Sequence, residues 1–157
     1  MSTGDIGGGG AGRLRRALAP FDPRGRLCAP AYRLIVIRLV LAFAGLVCLS
    51  VWLGGHGLRG LAILAAGGTL FVALAACAQT IRRLHDRDRT AWWLGLYILL
   101  EAVSTLPLEQ FADSDPVPVF ASVAAMLGYF AWFFIETVLR PGTPGPNRHG
   151  PAPIAPP

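Results

Sequence analysis

Arg82, Arg83, His85, Asp86, Arg87, Asp88 and Arg89 fill seven of the eight positions from 82 to 89, and long apolar stretches run up to them from both sides. These residue types offer a definite chemistry. Guanidinium groups are planar forks that match phosphate oxygens, carboxylates pair with them, and an imidazole next to a carboxylate is the minimum for acid–base work. Such a block cannot rest in hydrocarbon, so it is expected as a loop at a membrane surface. Its four arginines put that surface on the cytoplasmic side, because short cytoplasmic loops carry an excess of basic residues. Arg82, Arg83, His85 and Asp86 are therefore a candidate headgroup or phosphate site. The plainer alternative is an anchor whose Asp86 and Asp88 pair locally with arginines. His85 beside Asp86 is too small a set for zinc, which takes three or four protein ligands, and neither a metal nor a cofactor is expected.

Glu101 is the second residue with chemical potential. In a helix it lies about 16 Å from Thr90, close to mid-bilayer, where a carboxylate is costly. One reading is a proton or ion relay. The other is a protonated carboxyl hydrogen-bonded to a neighbour such as Tyr129 at similar depth. Glu136 and Arg38 fall near the cytoplasmic ends of their own apolar runs, at depths that would let them pair. His56 and His149 lie in Gly-rich segments, where solvated polar residues are the ordinary expectation.

The elements that must position these groups follow from composition. The chain has 157 residues, 54% hydrophobic and 15% charged, against about 25% charged in an ordinary soluble domain. The apolar residues come in blocks of membrane-spanning length. Runs at about 32–53, 61–81, 91–108 and 117–139 predict an all-α integral membrane protein, a bundle of four transmembrane helices within residues 31–140. The third run is the shortest and holds Glu101 and Pro107, which allows a tilted or re-entrant segment instead. Small residues at Ala62 and Ala66, or Ala73 and Cys77, recur at four-residue spacing and predict close helix approach, with Ala124 and Gly128 offering the same in the last run.

Arginine placement predicts that both termini are cytoplasmic. Arg13, Arg15, Arg16, Arg24 and Arg26 precede the first run and Arg140 and Arg148 follow the last, whereas one opposite turn has only Arg59 and the other has Glu109, Asp113 and Asp115. Residues 1–30 read as a basic, Gly-rich cytoplasmic segment with Leu14 and Leu18 spaced for a short surface helix. They lack the features of a cleaved secretory signal, so the first run is expected to be retained. Residues 141–157 form a Pro/Gly-rich cytoplasmic tail expected to be extended or disordered. Cys28, Cys48 and Cys77 have no ligand-type spacing, and no disulfide is implied. The net charge of +5 comes from arginines beside apolar spans, which points to anionic lipid rather than nucleic acid.

The string Ile81-Arg82-Arg83-Leu84-His85-Asp86, followed by Arg89 and Trp92-Trp93, resembles the signature of the bacterial membrane family Domain of Unknown Function 805, the YhaH-like proteins. Two further landmarks match in order: Gly25-Arg26 with Tyr32, and Gly142, Gly145, Asn147, Gly150 and Pro151. The chain departs from the pattern at Ala29 and Arg33, where many relatives carry a second arginine and a tryptophan. The resemblance implies a small multi-pass protein of the bacterial inner membrane and, with the shared side of these residues, a non-enzymatic component. Its cytoplasmic arginine face, made of Arg26, Arg82, Arg83, His85 and Asp86 with Asn147 closing over it, would bind anionic lipid headgroups, a second copy or another membrane protein. The rival expectation is a proton or small-solute transporter using Glu101. An enzyme acting on lipids ranks last.

Overall fold

The computed structural model describes residues 17–107, 110 and 115–153, and every structural statement below concerns those residues. A single 3-10 turn, Ala19–Phe21, precedes helices α1 (Ala29–Gly55), α2 (Arg59–Asp86), α3 (Trp92–Ser104) and α4 (Pro116–Phe134). From α4 the chain continues without a break into a π-helical turn, Ile135–Leu139. The surface helix expected around Leu14 lies outside the described residues.

Three helices are long and apolar enough to cross a membrane: α1 with 27 residues, α2 with 28, and α4 with its π-turn at 24. At 1.5 Å per residue each exceeds the roughly 30 Å of hydrocarbon. The most apolar stretch of α1 buries none of its residues within the protein, and Leu41, Val51, Ile63 and Leu64 all point outward. Faces so continuously apolar need lipid rather than water around them. Helix α3 differs from the expectation of a run over 91–108. It has 13 residues, about 20 Å, because Ser104 and Thr105 turn their hydroxyls back onto the carbonyls of Glu101 and Ala102 and Pro107 follows.

The chain divides into two compact units, Met1–Arg24 with Ile35–Gln79 and Gly25–Leu34 with Thr80–Pro157. The first is a helical hairpin of α1 and α2. Its turn is a Schellman motif: Leu58 N–H donates to Leu53 at 3.0 Å, Gly57 N–H donates to Gly54 at 3.1 Å, and Gly57 adopts φ +77°, which glycine alone takes without a steric penalty. Close approach is confined to small residues. Ser50 Oγ donates to the Ala62 carbonyl at 2.9 Å, and a Cβ on Gly68 would stand 3.3 Å from Leu46 Cδ1. Ala62 thus sits at the contact, while Ala66 is exposed and Ala65 and Gly68 are turned inward. In the second unit an aromatic seam joins α3 to α4. Tyr97 stacks obliquely on Phe133 and Phe130, Trp93 on Trp132, and the Tyr129 hydroxyl donates to the Trp93 carbonyl at 2.6 Å.

The packing at Gly68 predicts that Gly68→Leu, which must displace Leu46, destabilises the protein by about 1–3 kcal/mol. Gly67→Leu, where a Cβ meets open space, should leave the melting temperature in detergent unchanged.

Candidate functional site

The last turn of α2 carries the arginine string, and helical spacing turns Arg83, Leu84 and Asp86 inward so that all three are essentially inaccessible. A charge is tolerated there only when paired and fully hydrogen-bonded. Asp86 achieves this with two arginines. Its Oδ1 accepts from Arg26 Nε at 3.1 Å and faces Arg26 Nη2 at 3.0 Å, and its Oδ2 accepts from Arg83 Nη1 at 2.5 Å. Arg26 is brought in by main chain, since Leu27 N–H donates to the Arg82 carbonyl at 3.1 Å.

Two buried cations against one buried anion leave a positive charge, and backbone carbonyls offset it. Arg83 donates through Nε to Thr137 O at 2.7 Å, through Nη2 to Arg140 O, and more weakly to Leu27 O at 3.5 Å. Thr137 and Arg140 are at the end of α4, where carbonyls lack helical partners and the helix dipole is negative. The π-turn contributes to this. Arg140 N–H reaches back five residues to Ile135 O, and Thr137 is left turned toward the guanidinium.

Arg26 spends its outer nitrogens on the C-terminal segment. Nη2 donates to Thr143 O at 2.7 Å and Nη1 to Gly145 O at 2.6 Å and Gly150 O at 3.4 Å. Thr143 returns its own N–H to Asp86 O at 2.8 Å and its hydroxyl to the same oxygen at 3.0 Å. Asn147 Nδ2 donates to His85 O at 2.9 Å, and Asn147 and Gly150 exchange both main-chain hydrogen bonds at 3.0 Å. The expectation of an extended or disordered tail is therefore corrected for residues 141–153. These residues fold over α2's end because Arg26, Asp86 and Asn147 supply the partners that so Pro-rich a backbone cannot supply for itself. Gly142 is required at the contact, where a Cβ would overlap the Asp86 carboxylate.

A second ionic cluster lies beside the first. Glu136, 1% exposed, accepts on Oε1 from Arg87 Nε at 3.1 Å and on Oε2 from Arg140 Nη1 at 3.0 Å, and Arg89 Nε is 3.5 Å from Oε1. Arg89 also lies over the rings of Trp93 and Trp132, 5.5 and 5.9 Å from their centroids. The expected partner of Glu136 was Arg38. That expectation is corrected: three arginines of the adjoining loop and helix end hold the carboxylate, and Arg38 is exposed on α1. The companion expectation of a Glu101–Tyr129 bond is corrected as well, since Tyr129 gives its proton to Trp93 O while Glu101 is exposed on α3.

Of the six predicted surface residues, Arg26, Arg83 and Asp86 are internal and Arg82, His85 and Asn147 are half-buried. Arg26 and Arg83 share Asp86, Asn147 donates to the His85 carbonyl, and Arg82 is joined through its own carbonyl to Leu27 N–H. Sequence reasoning missed Arg87, Arg89 and Arg140 as partners of Glu136, and Thr137 and Thr143 as acceptors. Only the i,i+4 spacing of Glu136 and Arg140 pointed that way. His85 and His149 stack with centroids 3.9 Å apart and planes 7° from parallel, although His149 was expected to be solvated. Burial, then His85 and Arg148, hold the His149 pKa below its ordinary value. Among the described residues no three His, Cys, Asp or Glu side chains converge as a metal set.

Replacing Asp86 by Asn leaves two buried guanidinium groups without their counter-charge, and the expected cost is about 3–5 kcal/mol. Thermal unfolding in detergent measures this, and Gly142→Ala should lower the melting temperature in the same direction.

The tail should also respond to pH. His149 faces His85, Arg148, Asp88 and Arg26, and its lowered pKa means that the released tail binds the proton more readily than the docked one. Docking is then strongest above the ordinary histidine pKa of about 6.5 and weakens as pH falls through the folded value. Protease cleavage between residues 141 and 153 should quicken from pH 7.5 to 5, and His149→Phe should flatten that rise.

The model of the family described as Protein of unknown function (DUF805) matches residues 20–151. "Inner membrane protein YhaH" of Escherichia coli K12 is 29% identical over 132 residues, covering 83% of this chain and 85% of its own length. The protein of the same name from Escherichia coli O157:H7 gives the same figures. No solved structure matches. The matched stretch takes in all four helices, both ionic clusters and the tail as far as Pro151, and the chain belongs to the DUF805 family.

Proposed function

We propose that this is a small multi-pass protein of the bacterial inner membrane, with both termini cytoplasmic, which binds anionic lipid headgroups or a membrane partner through its arginine cap and catalyses no reaction. The supporting observation is the gathering of Arg26, Arg82, Arg83, Arg87, Arg89, Arg140 and Arg148 in the end of α2 and the segments beside it, where the acids among the described residues that pair with them are Asp86, Asp88 and Glu136. An excess of arginine is what anionic leaflets attract and what cytoplasmic loops carry. The YhaH relatives, named as inner membrane proteins, agree with the location.

The second compact unit supports the topology. It holds the start of α1, the end of α2 and the whole of α3 and α4, and Arg83 at the end of α2 donates to Thr137 O and Arg140 O just after α4. For α2 to end and α4 to end on one side, the chain between them must cross and return. In this reading α3 lies in the third of four crossings, with residues 1–30 and 141–157 on the cytoplasmic side.

Within the cap the buried and exposed arginines divide the work. Arg26, Arg83 and Asp86, with Asn147, form the frame that fixes the tail, since their donors are taken by carbonyls and one another. Arg82 and Arg89 at half-buried positions, with the exposed Arg140 and Arg148, present the charge, and His85 lies beside Arg82.

Native mass spectrometry of the gently extracted protein tests the function. Bound phospholipid enriched in anionic headgroups over the host membrane's composition is the expected result, falling as salt rises. Retained lipid that mirrors the bulk membrane would count against it.

A further inference from the structure

The Glu136 cluster holds three guanidinium groups around one buried carboxylate, which leaves two positive charges uncompensated within a few ångströms. Arg87 is fully used: Nε and Nη2 both contact Glu136 Oε1 at 3.1 Å, and Nη1 donates to Pro141 O at 2.6 Å. Arg89 and Arg140 are not. Arg140 uses only Nη1 on Glu136, and its side chain is 54% exposed. Arg89 touches Glu136 only through Nε, its side chain is 40% exposed, and its Nη1 and Nη2 groups make no hydrogen bond among the described residues. Its Cζ lies over the rings of Trp93 and Trp132, a cation–π contact that holds a guanidinium without consuming its donors.

We propose that Arg89 and Arg140, ordered by Glu136, Trp93 and Trp132, form a binding site for the phosphate of an anionic phospholipid, with doubly charged headgroups preferred. The site deepens the headgroup reading above, on which it rests, and moves the contact from the sealed Arg26–Asp86–Arg83 frame to its neighbour. Two observations select the ligand. The residual charge of the cluster calls for an anion of up to two charges, and pre-aimed guanidinium forks suit phosphate oxygens. Tryptophan rings belong at the headgroup level of a bilayer, where they can lie against glycerol and the first methylenes of a lipid. A free phosphate ion would use the arginines and gain nothing from the apolar faces of the rings beyond their hold on Arg89.

The test uses the full chain in a neutral detergent, titrated with short-chain phosphatidic acid, phosphatidylglycerol, phosphatidylcholine and inorganic phosphate and read by native mass spectrometry. Phosphatidic acid should bind tightest and phosphatidylglycerol less tightly, with phosphatidylcholine not retained. Arg89→Gln, at a half-exposed position that leaves the Arg87–Glu136–Arg140 bonds in place, should weaken phosphatidic acid at least about tenfold, the scale of one hydrogen bond to a charged group. Arg89→Lys, which keeps the charge and loses the fork, should recover only part of that, and Arg24→Gln, at an exposed arginine outside the Glu136 cluster, should bind as the wild type does. Anionic lipid held equally by wild type and Arg89→Gln would overturn this site and leave the headgroup function standing. No anionic lipid on the wild type would overturn both, and inorganic phosphate that displaces the lipid at equal concentration would overturn the lipid as the ligand.

Discussion

The cap depends on one carboxylate being shared by two buried arginines. Asp86 belongs to α2, Arg83 sits one turn before it, and Arg26 comes from the segment before α1. Any one of these charges alone would be destabilising in so dry a place, and the pairing is favourable only because the remaining donors are satisfied as well. Carbonyls at the end of α4 take those of Arg83, and carbonyls of the tail take those of Arg26. The net positive charge of the trio thus helps to hold two segments, the end of α4 and the tail, against the end of α2. Arg26, Arg83 and Asp86, among the most conspicuous charges of the sequence, lie inside the structure rather than on its surface.

The helix ends are adapted to the same task. At the end of α2 the chain makes a Schellman turn, with Arg89 N–H to Leu84 O at 2.8 Å and Asp88 N–H to His85 O at 3.1 Å. The left-handed position is held by Asp88 at φ 55°, not by glycine. Aspartate tolerates that conformation better than most residues, and here its carboxylate meets Arg148 Nε at 3.0 Å. At the end of α4 the π-turn widens the helix by one residue per turn, which sets Glu136 toward Arg87 and Arg140 while Thr137 O meets Arg83. Both distortions occur where irregular backbone commonly accompanies a functional role.

Much of this was legible in the sequence, for reasons specific to each element. Apolar runs over 32–53, 61–81 and 117–139 correspond to α1, α2 and α4 because the bilayer-length constraint is severe. The third run was longer than its helix, since hydropathy does not register serine and threonine hydroxyls turning back on the last carbonyls. Arg26, Arg83, His85, Asp86 and Asn147, read from the sequence as parts of one binding face, share hydrogen bonds here, yet the burial of Arg26, Arg83 and Asp86 was not foreseeable from charge alone. Composition treats an arginine as a surface residue, whereas a guanidinium with five donors can be enclosed when carbonyls are at hand. The order in residues 142–150 was hidden for the same reason: proline and glycine signal a chain without a core, and this segment is held by another segment's donors.

Hydrogen exchange at the Thr143 amide tests the central claim most directly. That N–H donates to Asp86 O in a segment with no helix of its own, so its protection reports the docking of the tail on the end of α2, to which Arg26 contributes through Thr143 O and Gly145 O. Wild-type protein in detergent should show Thr143 and Asn147 exchanging as slowly as the last turn of α2. Exchange at the rate of an unstructured peptide would mean that Asp86, Arg26 and Arg83 do not hold the tail, and the cap described here would not exist.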